Sequence, residues 1–98
     1  MRSALPGVKP YQLEDDEVMT EVRSGFNLIV WNDEVNTFEW VIQALTEICD
    51  HTQEQAEQCA LLIHTQGKYA VKQGSFEKLK PMCEAICERS INATIEEA

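Results

Sequence analysis

Three acceptor-bearing side chains in a row, Asn32-Asp33-Glu34, interrupt an apolar stretch of this 98-residue chain, and Asn36-Thr37 follow in Val30-Trp-Asn-Asp-Glu-Val-Asn-Thr-Phe38. Amide and carboxylate oxygens clustered in one turn can cap a helix, or they can hold a cation. Asp33 and Glu34 do not make an acid–base pair, because adjacent residues in a turn point apart. Two histidines could add chemistry. His64 ends an apolar run in Leu61-Leu-Ile-His-Thr-Gln-Gly-Lys68, and His51 sits between Asp50 and Thr52 as a linker residue. The ordinary reading of His64 is a helix-end residue favoured by the macrodipole. The chain has no Gly-rich phosphate loop, no serine elbow and no HExxH, so no enzyme is expected.

Cysteine chemistry is the main alternative. Cys49, Cys59, Cys83 and Cys87, with His51, could form a thiol or zinc-binding regulatory domain. The spacing argues against it. The one close pair, Cys83 and Cys87, lies four residues apart rather than in a tight knuckle. Each thiol also falls on an apolar helical stripe, where it behaves as a small, inert hydrophobe. No cofactor and no metal are expected.

The charge pattern narrows the partners. A net charge of −9 argues against nucleic acid, which needs a basic face. Residues 24–67 contain no Lys or Arg but include Asp33, Glu34, Glu39, Glu47, Asp50, Glu54 and Glu57. This half of the surface suits a cation or a basic partner, although a solvated, solubilising face would look the same. No run of 18 apolar residues exists, so no membrane helix is expected. The N-terminus has no apolar signal core, and a cytoplasmic protein is the expectation.

These residues must be positioned by a small set of elements. Residues 1–23, with Pro6, Pro10 and the acidic run 14–17, read as a flexible extension, and 24–98 as one folded unit. Residues 26–31 are β-rich. Asn36 is expected to cap a first helix, with Glu39 reaching back in a capping box. Phe38, Val41, Ile42, Leu45, Ile48 and Cys49 form its apolar stripe. Thr52 with Gln55 opens a second helix that buries Ala56, Cys59, Ala60, Leu62 and Ile63, and Gly67 ends it. Residues 68–72 predict a strand with its lysines outward. Pro81 predicts a split third helix, a short turn over 76–79 and then 80–89, with Met82, Ile86 and Cys83 facing inward. Residues 91–95 alternate and predict a last, edge strand. The fold class is therefore α+β in the order β-α-α-β-α-β, with three helices on one face of a three-stranded antiparallel sheet.

A helix hairpin laid on a sheet returns the end of the second helix to the start of the first. Asn32, Asp33 and His64 then converge beside apolar Phe38, Val41 and Ile63. Acceptors above an oily pocket match a positive charge next to an apolar side chain, as in the first residue of a peptide with a free α-amino group.

The same residues resemble a family. Asn32-Asp33, Phe38-Glu-Trp-Val-Ile42, Glu54-Gln-Ala-Glu-Gln58 and His64-Thr-Gln-Gly-Lys68 are similar to ClpS, the adaptor of the Clp AAA+ protease, over about residues 26–95. The resemblance implies an adaptor that binds N-degron proteins beginning with Leu, Phe, Tyr or Trp. It implies delivery of them to the N-domain of a ClpA-type unfoldase. It places Asn32, Asp33 and His64 on the α-amino group and first peptide unit, Phe38, Val41, Ala60 and Ile63 in the hydrophobic pocket, and Asn36 and Thr37 at its rim. His64 as an acceptor implies weaker binding below about pH 6. Two departures stand out. Family members commonly carry Met at the positions of Phe38 and Ala60 and Thr-Pro at Asn36-Thr37. On the unfoldase-docking helix Glu77 matches the family's Glu, but Met82 stands where a Lys is expected, with Lys78 and Lys80 as the nearest bases. The extension corresponds to the segment that engages the unfoldase during delivery. Recognition of internal peptide segments, or a chaperone cofactor role, would use the same fold.

Overall fold

The computed structural model describes residues 25–98, so the expectation for the extension lies outside the described residues. Strand β1 (Phe26–Trp31) is followed by helices α1 (Phe38–Ile48) and α2 (Gln53–Gln66). Strand β2 (Lys68–Gly74), helix α3 (Phe76–Glu88) and strand β3 (Ala93–Glu97) complete the chain. The sheet order is β2-β1-β3, and both pairings are antiparallel. Three helices on a three-stranded antiparallel sheet is the expected architecture, with β3 at an edge.

Period-two alternation sorts β1 between two faces. Leu28 and Val30 are fully buried and join the helix-side core with Leu45, Cys49, Leu79 and Ile86. On the other face, the Trp31 indole donates to Thr94 Oγ1 at 3.0 Å, and the Lys68 ammonium lies 4.7 Å from the Trp31 ring centre.

Four local expectations change. The β1–β2 register slips between Leu28 and Ile29, which pair with Lys72 and Ala70, so Val71 is an extra bulge residue. The slip turns Lys72 to the helix side, where its ammonium donates to the Cys49 carbonyl at 3.1 Å. Helix α1 is capped by Thr37, whose hydroxyl accepts the Trp40 N–H at 3.1 Å, and not by Asn36. Trp40 thus takes the third helical position, and the expected capping box with Glu39 does not form.

Helix α3 is continuous through Pro81. Ser75 Oγ accepts the Lys78 N–H at 3.2 Å, which fixes the start upstream of the proline. An interior proline costs about 3 kcal/mol. Leu79 and Ile86, seven residues apart on one face and both fully buried, offset it at about 1.5–3 kcal/mol each. Finally, β3 starts at Ala93, two residues later than expected. Ser90 turns the chain at φ +67°, and Ile91 is buried in the connection rather than in the strand.

Helix α2 keeps the reading from sequence. Thr52 and Gln55 form the reciprocal capping box, and Gly67 ends the helix at φ +90°. Ala56, Ala60 and Ile63 are buried, whereas Cys59 and Leu62 are half-buried.

Candidate functional site

Backbone hydrogen bonds bring the two halves of the site together. The Gly67 N–H closes the last turn of α2 onto the Ile63 carbonyl, and the Gly67 carbonyl accepts the Asn32 N–H, both at 2.9 Å. The residue leaving β1 is therefore pinned three positions beyond His64. Space around Gly67 is open, so the glycine is required by its left-handed φ rather than by packing.

The turn after Asn32 is organised around Asp33. Its Oδ1 accepts the N–H groups of Val35 and Asn36 at 2.9 and 2.8 Å. Its Oδ2 accepts from Asn36 Nδ2 at 2.9 Å, and the same Nδ2 donates to the Ser90 carbonyl at 2.8 Å. The Asn36 backbone N–H, then its side-chain amide, and the Val35 N–H hold the Asp33 carboxyl below its ordinary range. The carboxylate is thus kept ionised, and one Oδ2 lone pair remains available.

Nine side chains line one cavity of about 250 Å³: Asn32, Asp33, Asn36, Thr37, Phe38, Val41, Ala60, Ile63 and His64. Six of them, Asn32, Asp33, Phe38, Val41, Ile63 and His64, are those that packing was expected to bring together, and Ala60, Asn36 and Thr37 are those that the resemblance to ClpS added. Ala60 and Ile63 are each 3% exposed and form the floor, while Phe38, 42% exposed, forms a wall. Among the described residues, neither the Asn32 side chain nor the His64 ring has a hydrogen-bond partner. The mouth of the cavity therefore offers a carboxylate, an amide and an imidazole, above apolar walls from Phe38, Val41, Ala60 and Ile63. That combination can hold a small cationic group and bury the hydrocarbon attached to it.

Sequence reasoning missed the scaffold of the site. Asn36 was expected as a helix cap and an edge residue; it is the clamp on Asp33 and the link to Ser90. Ser90 and Trp40 were not singled out. The Trp40 indole donates to the Arg89 carbonyl at 3.0 Å, and Arg89 pairs with Glu47 at 2.7 Å, which ties α1 to the end of α3. A non-glycine residue with φ above zero cannot be read from sequence, so Ser90 gave no signal.

The remaining candidates lie elsewhere. Glu77, Lys78 and Lys80 are exposed on α3, whereas Met82 is half-buried against the core. The cysteines split into two groups. Cys83 and Cys87 both donate to the Ala93 carbonyl at 3.4 and 3.5 Å. Cys59 lies 3.8 Å from His51 Nδ1, in a separate hollow that also includes Lys72. Burial pushes the Cys49 thiol up to about 11, and burial together with the neighbouring Cys87 pushes Cys83 up to about 11. Among the described residues, no three His, Cys, Asp or Glu side chains converge in a way that could hold a metal ion.

Comparison with known proteins bears on the family and the fold. The family model described as ATP-dependent Clp protease adaptor protein ClpS matches residues 21–94. A ClpS adapter protein of Corynebacterium diphtheriae is 29% identical over 87 residues, covering 85% of this chain and 77% of that protein. One from Corynebacterium jeikeium is 24% identical over 95 residues, covering 97% and 94%. The solved structure of Agrobacterium tumefaciens ClpS2 bound to L-phenylalaninamide superposes with a TM-score of 0.67 at 16% identity, covering 76% of this chain and 98% of that one. The first two carry the sequence relationship and the third the fold, and together with the family match they show that the chain belongs to the ClpS family of Clp protease adaptor proteins.

Proposed function

We propose that this chain is an N-degron adaptor. It binds proteins through a free α-amino group and a large hydrophobic first residue, Leu, Phe, Tyr or Trp, and hands them to a Clp AAA+ unfoldase. One observation carries the reading: the cavity of about 250 Å³ has apolar walls beneath a rim of acceptors, of which Asp33 is held in place by hydrogen bonds. An ammonium at the rim would be bonded by Asp33 and by the Asn32 oxygen, with His64 accepting from the amine or the first peptide unit. Charge-assisted bonds of this kind contribute about 1.5–3 kcal/mol each. Burying one large apolar side chain between Val41, Ala60 and Ile63 adds about 1.5–3 kcal/mol.

Phenylalaninamide, the compound in the Agrobacterium tumefaciens ClpS2 structure, has the same two parts. It joins an amine to a benzyl group and ends in an amide that mimics a peptide bond. The role we propose is binding and handover, with no chemistry on the substrate. Exposed Glu77, Lys78 and Lys80 on α3 are the proposed docking positions for the N-domain of a ClpA-type unfoldase. Met82 would contribute only its half-buried edge. A cytoplasmic setting belongs to the same proposal.

The test compares a Phe-initiated peptide with the same peptide N-acetylated. Acetylation removes the charge and hydrogen-bond donors, so binding should be lost. Equal affinities would overturn the reading.

A further inference from the structure

The last two turns of α3 carry a pair of thiols that the proposed peptide site does not use. Cys83 and Cys87 lie four residues apart, so they stack on one face of the helix with Cβ atoms about 5–6 Å apart. Both thiols donate to one oxygen, the Ala93 carbonyl, at 3.4 and 3.5 Å, and they are also within hydrogen-bonding reach of each other. The two sulfurs therefore converge on one point between α3 and β3. Strand β3 is at the edge of the sheet, so no further strand among the described residues claims that carbonyl. Cys83 is half-buried against the core, while Cys87 is exposed and gives access from solvent.

Three fates of such a pair have different geometric needs. A disulfide needs Cβ atoms about 3.5–4.5 Å apart, closer than one regular helical turn allows. Zinc takes four ligands, and among the described residues no third His, Cys, Asp or Glu joins the pair. A soft cation held in line between two thiolates needs neither. With metal–sulfur bonds of about 2.3 Å it spans sulfurs about 4.6 Å apart, within reach of side chains one helical turn apart. We propose that Cys83 and Cys87 form a two-coordinate site for Cu(I). Thiolate sulfur is the soft ligand that selects this ion. On binding, each S–H gives its proton to solvent, two S–Cu bonds form, and the copper keeps its oxidation state. The Ala93 oxygen loses both donors and faces the cation as a weak, neutral third donor. Cys59 with His51 Nδ1, 3.8 Å away, is the competing soft pair, but it offers one thiolate rather than two.

The test titrates the full, reduced chain under argon into the coloured Cu(I)–bicinchoninate complex. The chain should withdraw one copper and release two protons for it, so capture should strengthen as pH rises. Cys83→Ser and Cys87→Ser should each lose that withdrawal, and Cys59→Ser should keep it. Cys87→Ser is the decisive variant, since its side chain is exposed and the substitution leaves the core intact. X-ray absorption of the copper-loaded chain should show two sulfur neighbours. A sulfur–nitrogen pair, or loss in Cys59→Ser alone, would move the copper to His51 and overturn the proposal. Retention in both Cys83→Ser and Cys87→Ser would also overturn it, as adventitious binding by any thiol. So would a chain that withdraws no copper. The outcome does not depend on the peptide reading, because neither cysteine lines that cavity.

Discussion

The two ends of the α1–α2 hairpin contain similar residues arranged for different purposes. At the open end are Asp33, His64 and Asn32; at the connecting end are Asp50, His51 and Lys72. Each end has an aspartate, a histidine and apolar walls from the same two helices. At the connecting end Lys72 and His51 already have partners. The Lys72 ammonium is spent on the Cys49 carbonyl, and His51 Nδ1 faces the Cys59 thiol. At the open end, hydrogen bonds converge on Asp33 from the backbone and Asn36, while the groups facing the cavity keep their acceptors. A site that binds needs polar groups that are held in place but not used up. The connecting end also contains its own cation, and the open end does not.

The comparison can be broken most directly at Asp33. Asp33→Ala should weaken a Phe-initiated peptide by about 10-fold to 100-fold, the value of one charge-assisted bond. Lys72→Met, at the other end, should leave peptide affinity unchanged. Fluorescence anisotropy measures both, and equal losses would remove the distinction between the two ends.

Next in size is Ala60→Met, which fills the cavity floor. Overpacking costs about 1–3 kcal/mol, so Trp and Phe binding should weaken about tenfold or more, and before Leu. A larger loss for Leu would mean that the first side chain does not reach Ala60.

Gly67→Ala should lower stability by about 1–2 kcal/mol, because φ +90° is strained for a residue with a Cβ. It should also weaken peptide binding, since the Gly67 carbonyl anchors Asn32. Denaturant melts and anisotropy separate the two effects.

The smallest effect concerns pH. Burial, the largest cause, and the nearby Lys72 lower the His51 pKa, against a backbone hydrogen bond to Val71 and the charge of Asp50. The unfolded chain then binds the proton more readily than the folded one. Stability should therefore fall as pH drops through the ordinary imidazole range, below about 6.5, toward the lower folded value. His51→Gln should flatten that part of the melting curve series. Asp33 behaves in the opposite region: its lowered pKa keeps a stabilising contribution above the ordinary carboxylate range and loses it only in stronger acid. Carbon NMR of its carboxyl should show the titration moving back up in Asn36→Ala.

Much of the molecule was legible locally. The capping box at Thr52, the left-handed Gly67 and the β-rich run of β1 each depend on residues within a few positions. Packing alone brought Asn32, Asp33, His64, Phe38, Val41 and Ile63 together, because a helix hairpin on a sheet has few ways to close, whereas Ala60, Asn36 and Thr37 came only from the resemblance to ClpS. Elsewhere the local signal misled. Pro81 suggested a break, but burial of Leu79 and Ile86 holds α3 together across it. Asn36 resembled a cap because its amide suits one, yet Asp33 and Ser90 claim that amide first.

The chain by itself determined the element order, the acidic surface of residues 24–67 and the residue types able to hold an amine. Those follow from periodicity, capping chemistry and charge, which act over a few residues. Tertiary structure alone decided which acceptors stay free among the described residues. The bulge at Val71 spends Lys72 on Cys49, and the Gly67–Asn32 bond sets Asp33 beside His64. A hydrogen bond between residues far apart in sequence depends on where the whole backbone goes, and no local pattern encodes it.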